Sequence, residues 1–292
     1  MSNSARPIRH HTLTAVALLL LLAASSSAQD WIRTGTGLGV ERVRLAASDF
    51  KSATPDAKNT DLLKTFNDTL WNDLDNAGIF DLVSKSFYPL QEPGQPSEVN
   101  FPAWNSPPPN TSMLAFGNLG AATGKVTVQG WLYDVKNEKS PQVLGKQYVD
   151  NATSDAVRVI AHKFADEIIF RLGGGVAGIA ESKIYFVSER TGHKEIWVMD
   201  YDGANQQAIT HLGSISLSPR ISPDGSRLAF SSVTKSGWEI MMYSFDLNRL
   251  VSFPRFGGMN LSPSWSPEGK IAFSSSRNGF PNIFVVDASG GN

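Results

Sequence analysis

Asp224 and Glu268 occupy equivalent places in two nearly identical stretches, SPRISPDGSRLAF at 218–230 and SPSWSPEGKIAF at 262–273. An acidic side chain repeated at a fixed place could hold a cation or a polar ligand. Its neighbours point to plainer chemistry. Pro223 presets the backbone for a reversal, Asp224 can accept hydrogen bonds from the backbone ahead of it, and Gly225 tolerates positive φ. Pro267, Glu268 and Gly269 repeat the arrangement, with the longer Glu a weaker local cap. These six residues read as turn chemistry in a scaffold.

Other resemblances to catalytic patterns fail on context. Residues 173–178 (GGGVAG) satisfy G-x-G-x-x-G, but a dinucleotide site needs those glycines between a strand and a helix. Here they follow a helical pattern and precede strands, as a helix stop and linker would. The glycines of 35–39 (GTGLG) are a flexible approach to the first strand. There is no G-x-S-x-G elbow to present a nucleophilic serine. His162 falls on a predicted amphipathic helix, and His193 and His211 fall in corners, so all three read as surface or interface side chains. No cysteine is present to complete a zinc site. Asp200-Tyr201-Asp202-Gly203 opens like a calcium loop but lacks the closing Glu, and it fits a strand-connecting turn. The expectation is a chain with no catalytic, metal or cofactor site.

Two kinds of pattern carry these residues. Before Gly173, strands and helices alternate. Residues 40–47 (VERVRLAA) set Val43, Leu45 and Ala47 against Arg42 and Arg44, as in a half-buried strand. A helix follows, with Leu62, Leu63, Phe66, Leu70 and Leu74 on one face, Thr60 or Asp61 as its cap and Gly78 at its stop. Residues 79–84 form a short strand. The proline-rich stretch 89–110 reads as a loop anchored by Phe101 and Trp104. Three strands come next, at 113–119, 125–135 and 143–149. A second helix begins with a Ser/Asp cap and carries Val157, Ile160, Ala161, Phe164, Ile168 and Leu172 on one stripe. The pattern predicts a sheet with one apolar face covered by two helices.

From Lys183 onward the helical pattern stops and a repeat takes over. Ile184, Leu228 and Ile271 open equivalent strands at intervals of 44 and 43 residues, and Glu195, Glu239 and Asn282 keep the same intervals. Each unit reads as four short strands with Pro-Asp-Gly, Thr-Gly, Asp-Gly or Gly-Gly at the corners. That period and strand count are those of a β-propeller blade. Blades are expected near 176–210, 217–252 and 261–292. The third lacks a fourth strand, and no further blades close the ring, so the sequence reads as part of a longer chain.

The N-terminus carries an address. Arg6, Arg9, His10 and His11 precede the apolar run at 13–24, and Ser26 and Ala28 have the spacing of a signal-peptidase site. That run is too short to span a bilayer, which takes about 20 residues. The expected division is a signal peptide at 1–28, an α/β domain at 29–172 and a partial propeller at 173–292. Removing Arg6 and Arg9 from the 26 basic side chains leaves 24 against 27 acidic ones, and that balance offers no electrostatic case for nucleic acid or an anionic membrane. The expected compartment is extracytoplasmic, without membrane insertion.

Three stretches together resemble the TolB family of the Tol–Pal envelope system: the strand pair at 126–149, the helix, linker and first blade at 161–210, and the blade phrase at 218–232. The resemblance runs from about Val40 to the end. It implies an α+β domain followed by an all-β propeller of about six blades, of which some two and a half are present. It further implies a non-enzymatic periplasmic adaptor that binds the Pal lipoprotein and a TolA-like inner-membrane protein, with roles in envelope integrity, cell division and protein transport. In that family the N-terminal segment meets TolA, which here singles out Trp31 and Ile32 as apolar partner contacts. The proline-rich stretch around Pro107–Pro109 and the opening QDWIRTGTGLGVE depart from the family pattern. Two readings stand beside it: the regulatory propeller of a secreted serine peptidase, and a sugar-binding propeller using Trp197, Trp238 and Trp265. Terminal sequencing of the exported chain is expected to begin at Gln29; an intact Met1 would overturn the signal-peptide reading.

Overall fold

The computed structural model describes residues 42–53 and 58–289. The signal-peptide segment and the two apolar candidates Trp31 and Ile32 lie outside the described residues.

The first half is one mixed sheet. Its strands are β1 (Val43–Ala47), β2 (Lys51–Ser52), β3 (Phe80–Leu82), β4 (Met113–Ala122), β5 (Lys125–Asp134) and β6 (Gln142–Asn151), in the order β3-β1-β4-β5-β6 with β2 beside β4. β1 runs parallel to both neighbours, pairing Leu45 with Leu82 and with Met113. A parallel return needs a crossover, and helix α1 (Lys58–Asn76) supplies it. Helix α3 (Ser154–Leu172) lies beside α1 on the same face, after a short α2 (Phe101–Asn105). Phe66, Leu70 and Leu74 from α1 and Ile160, Phe164 and Ile168 from α3 close over Leu45, Leu119 and Val128. Gly130 on β5 lets α3 come this close, because a Cβ there would sit 2.8 Å from the Phe164 ring.

The opposite face corrects two expectations. β1 is not half-buried: Leu45, Ala46 and Ala47 are all buried, because Ala46 joins a second core with Trp104, Leu114, Phe116, Tyr133 and Val135. The cover over that core is the proline-rich stretch, which is more than a loop. It holds a 3-10 turn (Pro96–Glu98) and α2. Asn100 caps α2 by accepting the Ala103 N–H, and Pro102 sits in the first turn, where a missing N–H costs nothing. Tyr88 ties the stretch to the sheet by accepting the Ala47 N–H at 2.9 Å, and it meets Trp104 edge-on at 5.0 Å. Two helix starts also shift. α1 begins at Lys58, ahead of Thr60 and Asp61, and the cap of α3 is Thr153, whose hydroxyl accepts the Ala156 N–H at 3.2 Å. Thr153 keeps extended backbone angles while Ser154 and Asp155 are already helical.

The second half is three antiparallel sheets. β7 (Lys183–Ser188), β8 (Glu195–Asp200) and β9 (Gln207–Ala208) form the first. β10 (Ser216–Ile221), β11 (Arg227–Thr234), β12 (Gly237–Ser244) and β13 (Arg249–Val251) form the second, and β14 (Asn260–Trp265), β15 (Ile271–Ser275) and β16 (Asn282–Val286) the third. Among the described residues only the middle sheet has all four strands. The first lacks the innermost one, because residues 173–182 pass along α3 instead of pairing with β7. β11 is buried on both faces: Leu228 and Phe230 pack with Ile196 toward the first sheet, and Ala229 packs with Ile271 and Phe273 toward the third. Alternate residues of one strand thus glue neighbouring blades together.

The repeated phrase does more than turn. Ser218 and Ser262 both have left-handed backbones, with φ of 56° and 55°, and the ladder slips between Leu217 and Arg220 and again between Leu261 and Ser264. The Ser-Pro pairs are β-bulges in the first strands of their sheets, which sequence reasoning left unassigned. Trp104→Ala is expected to lower unfolding free energy by about 3–5 kcal/mol, and Gly130→Ala by about 1–3 kcal/mol through overpacking on Phe164, both read from urea unfolding of the near-UV signal.

Candidate functional site at the domain joint

Helix α3 carries Arg158, His162 and Asp166 at intervals of four residues, so they form one polar stripe along a largely apolar helix. The stripe faces the propeller. His162 is 4 % exposed, and its Nδ1 lies 2.7 Å from Oδ2 of Asp73 on α1, itself 2 % exposed. On the other side the His162 Nε2 points to Asp202 Oδ2 at 3.8 Å, in the turn after β8. The Arg158 guanidinium pairs with the same Asp202 oxygen and lies 3.9 Å from Asp200. Lys183 at the start of β7 pairs with Asp200, which also accepts from Asn205 Nδ2 at 2.8 Å.

The turn that presents Asp202 is a local construction. The Gly203 N–H donates to the Asp200 carbonyl, the Asp200 N–H to the Ala204 carbonyl, and the Ala204 N–H to Asp202 Oδ1. Asp166 secures the connecting segment by accepting from the Ala180 N–H at 3.0 Å and the Glu181 N–H at 3.3 Å. Gly178 makes room for this latch, since a Cβ at 178 would fall 1.9 Å from an Asp166 oxygen.

Charge follows position. Burial holds the Asp73 carboxyl above its usual range, although the hydrogen bond and charge of His162 pull it back. At Asp200 burial also acts upward, but hydrogen bonds from Lys183 and Asn205 and the charges of Lys183 and Arg158 outweigh it and hold the carboxyl below its usual range. Asp200 therefore stabilises the joint above the ordinary carboxylate pKa of about 3.9 and loses that contribution as pH falls through its depressed value.

Ligand atoms of His162, Asp200 and Asp202 lie within 4.8 Å of one another, a grouping that could hold a metal ion. The site is already supplied with positive charge: Arg158 is on Asp202 and Lys183 on Asp200, so an ion would have to displace both. The fit is to a structural ion-pair network. The sequence reading placed His162 among surface or interface side chains and residues 200–203 in a turn. The turn is there, but the histidine is buried at its foot. One signal was available, namely Arg158, His162 and Asp166 at i, i+4 spacing on one face of the helix.

The sequence-singled turn residues lie apart from this joint. Asp224 accepts from Ser222 Oγ at 2.6 Å, from the Ser226 N–H at 3.1 Å and from Ser226 Oγ at 2.9 Å, and these bonds bring its pKa down to about 2. Pro223 precedes it, and Gly225 follows at φ 73°. Glu268, between Pro267 and Gly269 (φ 81°), is lowered by a hydrogen bond from Ser266. Both acidic side chains are exposed, and their hydrogen bonds are local to their turns. Trp265 donates its ring N–H to the Arg220 carbonyl across the second and third sheets. A cleft of about 230 Å³ between the first two sheets is lined by Tyr185, Tyr243 and Phe245 and by none of the three tryptophans named for a sugar site.

This order of domains is shared with known proteins. The TolB amino-terminal domain model matches residues 36–140, and the TolB beta propeller domain model matches 171–292. The chain belongs to the TolB family. It is 29% identical over 285 residues to the Tol-Pal system protein TolB of Desulfosudis oleivorans, covering 96% of this chain and 63% of that protein. It is 32% identical over 216 residues to the Protein TolB homolog of Chlorobium luteolum, covering 73% of this chain and 47% of that one. The crystal structure of TolB from Acinetobacter baumannii superposes with a TM-score of 0.69 at 21% identity, over 85% of this chain and 58% of that one, and shows the common fold. The chain thus spans roughly half to two thirds of the length of these relatives. A double-mutant cycle of Arg158→Met and Asp202→Asn is expected to give a coupling energy of about 1–3 kcal/mol in thermal unfolding, where independent side chains would give none.

Proposed function

We propose that the chain acts as a periplasmic adaptor of a Tol–Pal system, binding partners without catalysing a reaction. The observation that carries this reading is the succession of a TolB amino-terminal domain and a TolB propeller in one chain, alongside relatives named as Tol-Pal system proteins. The physical case agrees with it. Blades packed on each other through buried residues such as Phe230 and Phe273 make a rigid body whose surfaces can bind without rearranging. Among the described residues no helix is long and apolar enough to cross a membrane. On this reading the propeller receives a Pal-type lipoprotein, and the N-terminal arm, through Trp31 and Ile32, receives a TolA-type inner-membrane protein. The output would be envelope integrity, with contributions to division and transport.

The amino-terminal match supports the adaptor over the peptidase reading, because it assigns the α/β half to the TolB family. The test is a pull-down of the exported chain against purified Pal-type and TolA-type proteins of the same envelope. Both are expected to be captured. Trp31→Ala with Ile32→Ala is expected to weaken TolA-type capture at least about tenfold, the effect of one interface anchor of roughly 1.4 kcal/mol, and to leave Pal-type capture intact. Capture of neither partner would overturn the proposal.

A further inference from the structure

We propose that the cleft between the first two sheets of the propeller is a binding site for one neutral sugar ring. Three aromatic side chains line it: Tyr185 of β7, Tyr243 of β12 and Phe245 just beyond β12. Phe245 meets Tyr185 at 5.7 Å with the rings tilted by 50°, and it meets Tyr243 edge-on at 5.5 Å. Neither pair is stacked, so Phe245 does not cover the face of either tyrosine. The cleft measures about 230 Å³, below the roughly 300–1,000 Å³ of a pocket for a drug-sized ligand. Its size suits a single ring.

The repeat shows that blade packing does not ask for these rings. At the same intervals of 44 and 43 residues, Tyr185 corresponds to Ala229, Tyr243 to Val286 and Phe245 to Ala288. Between the second and third sheets, Ala229, Met242 and Val286 are buried in one core, with Phe253 packed against it. Met242 corresponds in turn to Val198, which lines the cleft. The first interface therefore has rings where its repeat has small residues, and a shorter valine where its repeat has a filling methionine. A cleft is left where the equivalent place is packed.

The rim decides the ligand. Asn205, Gln207 and Asn248 supply three amides, and Lys183 and Asp200 supply one charge of each sign. Lys183 pairs with Asp200, so the rim is electrically balanced and offers no net charge to an ionised ligand. An apolar side chain would strip water from the amides without replacing its hydrogen bonds. A sugar ring meets both demands. Its C–H groups rest on the electron-rich faces of aromatic rings, and its hydroxyls donate to and accept from amides. Gln207 lies exposed on β9 with no side-chain hydrogen bond among the described residues. Asn248 accepts from the Tyr243 hydroxyl at 2.5 Å, which leaves its own N–H groups to donate. The three tryptophans that the sequence suggested for a sugar site take no part in this one.

The test titrates the exported chain with glucose and with N-acetylglucosamine in the millimolar range, read by saturation-transfer NMR from protein to sugar. At least one of the two is expected to bind saturably. Val198→Met installs the residue with which the second sheet fills its own interface, and it is expected to abolish the transfer. Gln207→Ala is expected to weaken binding about three- to tenfold, the effect of one neutral hydrogen bond. Because that side chain is exposed and unbonded, the unfolding midpoint is expected to stay in place, which keeps the proposal testable if Val198→Met does not fold. Saturable binding of indole, a ring without hydroxyls, where neither sugar binds would make the cleft an apolar slot and overturn the proposal. Binding of none of the three probes would overturn it too, as would sugar binding that either folded variant leaves unchanged.

Discussion

Helix α3 must satisfy two surfaces at once, and the rest of the molecule is arranged around that constraint. Its apolar stripe (Ile160, Phe164, Ile168) completes the core of the N-terminal sheet, while Arg158, His162 and Asp166 meet the propeller. An apolar second face would have produced a joint of the ordinary hydrophobic kind. A polar one must be paired at every atom or carry a penalty for each unpaired group. The pairs it makes depend on details in three elements, Asp73 on α1, the Asp200–Gly203 turn and Gly178 in the linker, while Asp73 Oδ1, Arg158 Nε and His162 Nε2 are buried without a hydrogen-bond partner.

The same logic of shared elements recurs on a smaller scale. β11 is central to the propeller because both of its faces are buried, so one strand sets the spacing of three blades. β1 plays that part in the sheet, with Leu45 in one core and Ala46 in the other. Elements buried on both sides leave loops and turns as the places where local chemistry decides. The Pro-Asp-Gly corner is one such place, where Asp224 is occupied by its own hydroxyl and amide donors.

A rigid propeller joined to a helix-covered sheet by ion pairs differs from two domains on a free tether. Ion pairs at a half-buried joint are directional and respond to pH and salt, while the apolar cores on either side do not. Such a joint holds its two sides through Arg158 on Asp202 and Asp166 on the Ala180 amide.

The primary structure by itself determined the class of fold, the helices and the repeat. Leu62, Phe66, Leu70 and Leu74 mark a helical face, and intervals of 44 and 43 residues mark blades, because period and turn chemistry are local properties that neighbouring residues express directly. Only the tertiary structure decided that Trp104, in a stretch read as loop, sits at the centre of a second core, that Ser218 and Ser262 are bulges, and that His162 bonds Asp73 and lies beside Asp202. Asp73 and His162 are 89 residues apart, and no periodicity links them. Contacts of that kind depend on how finished elements pack, where burial and charge pairing choose among side chains that look ordinary in sequence.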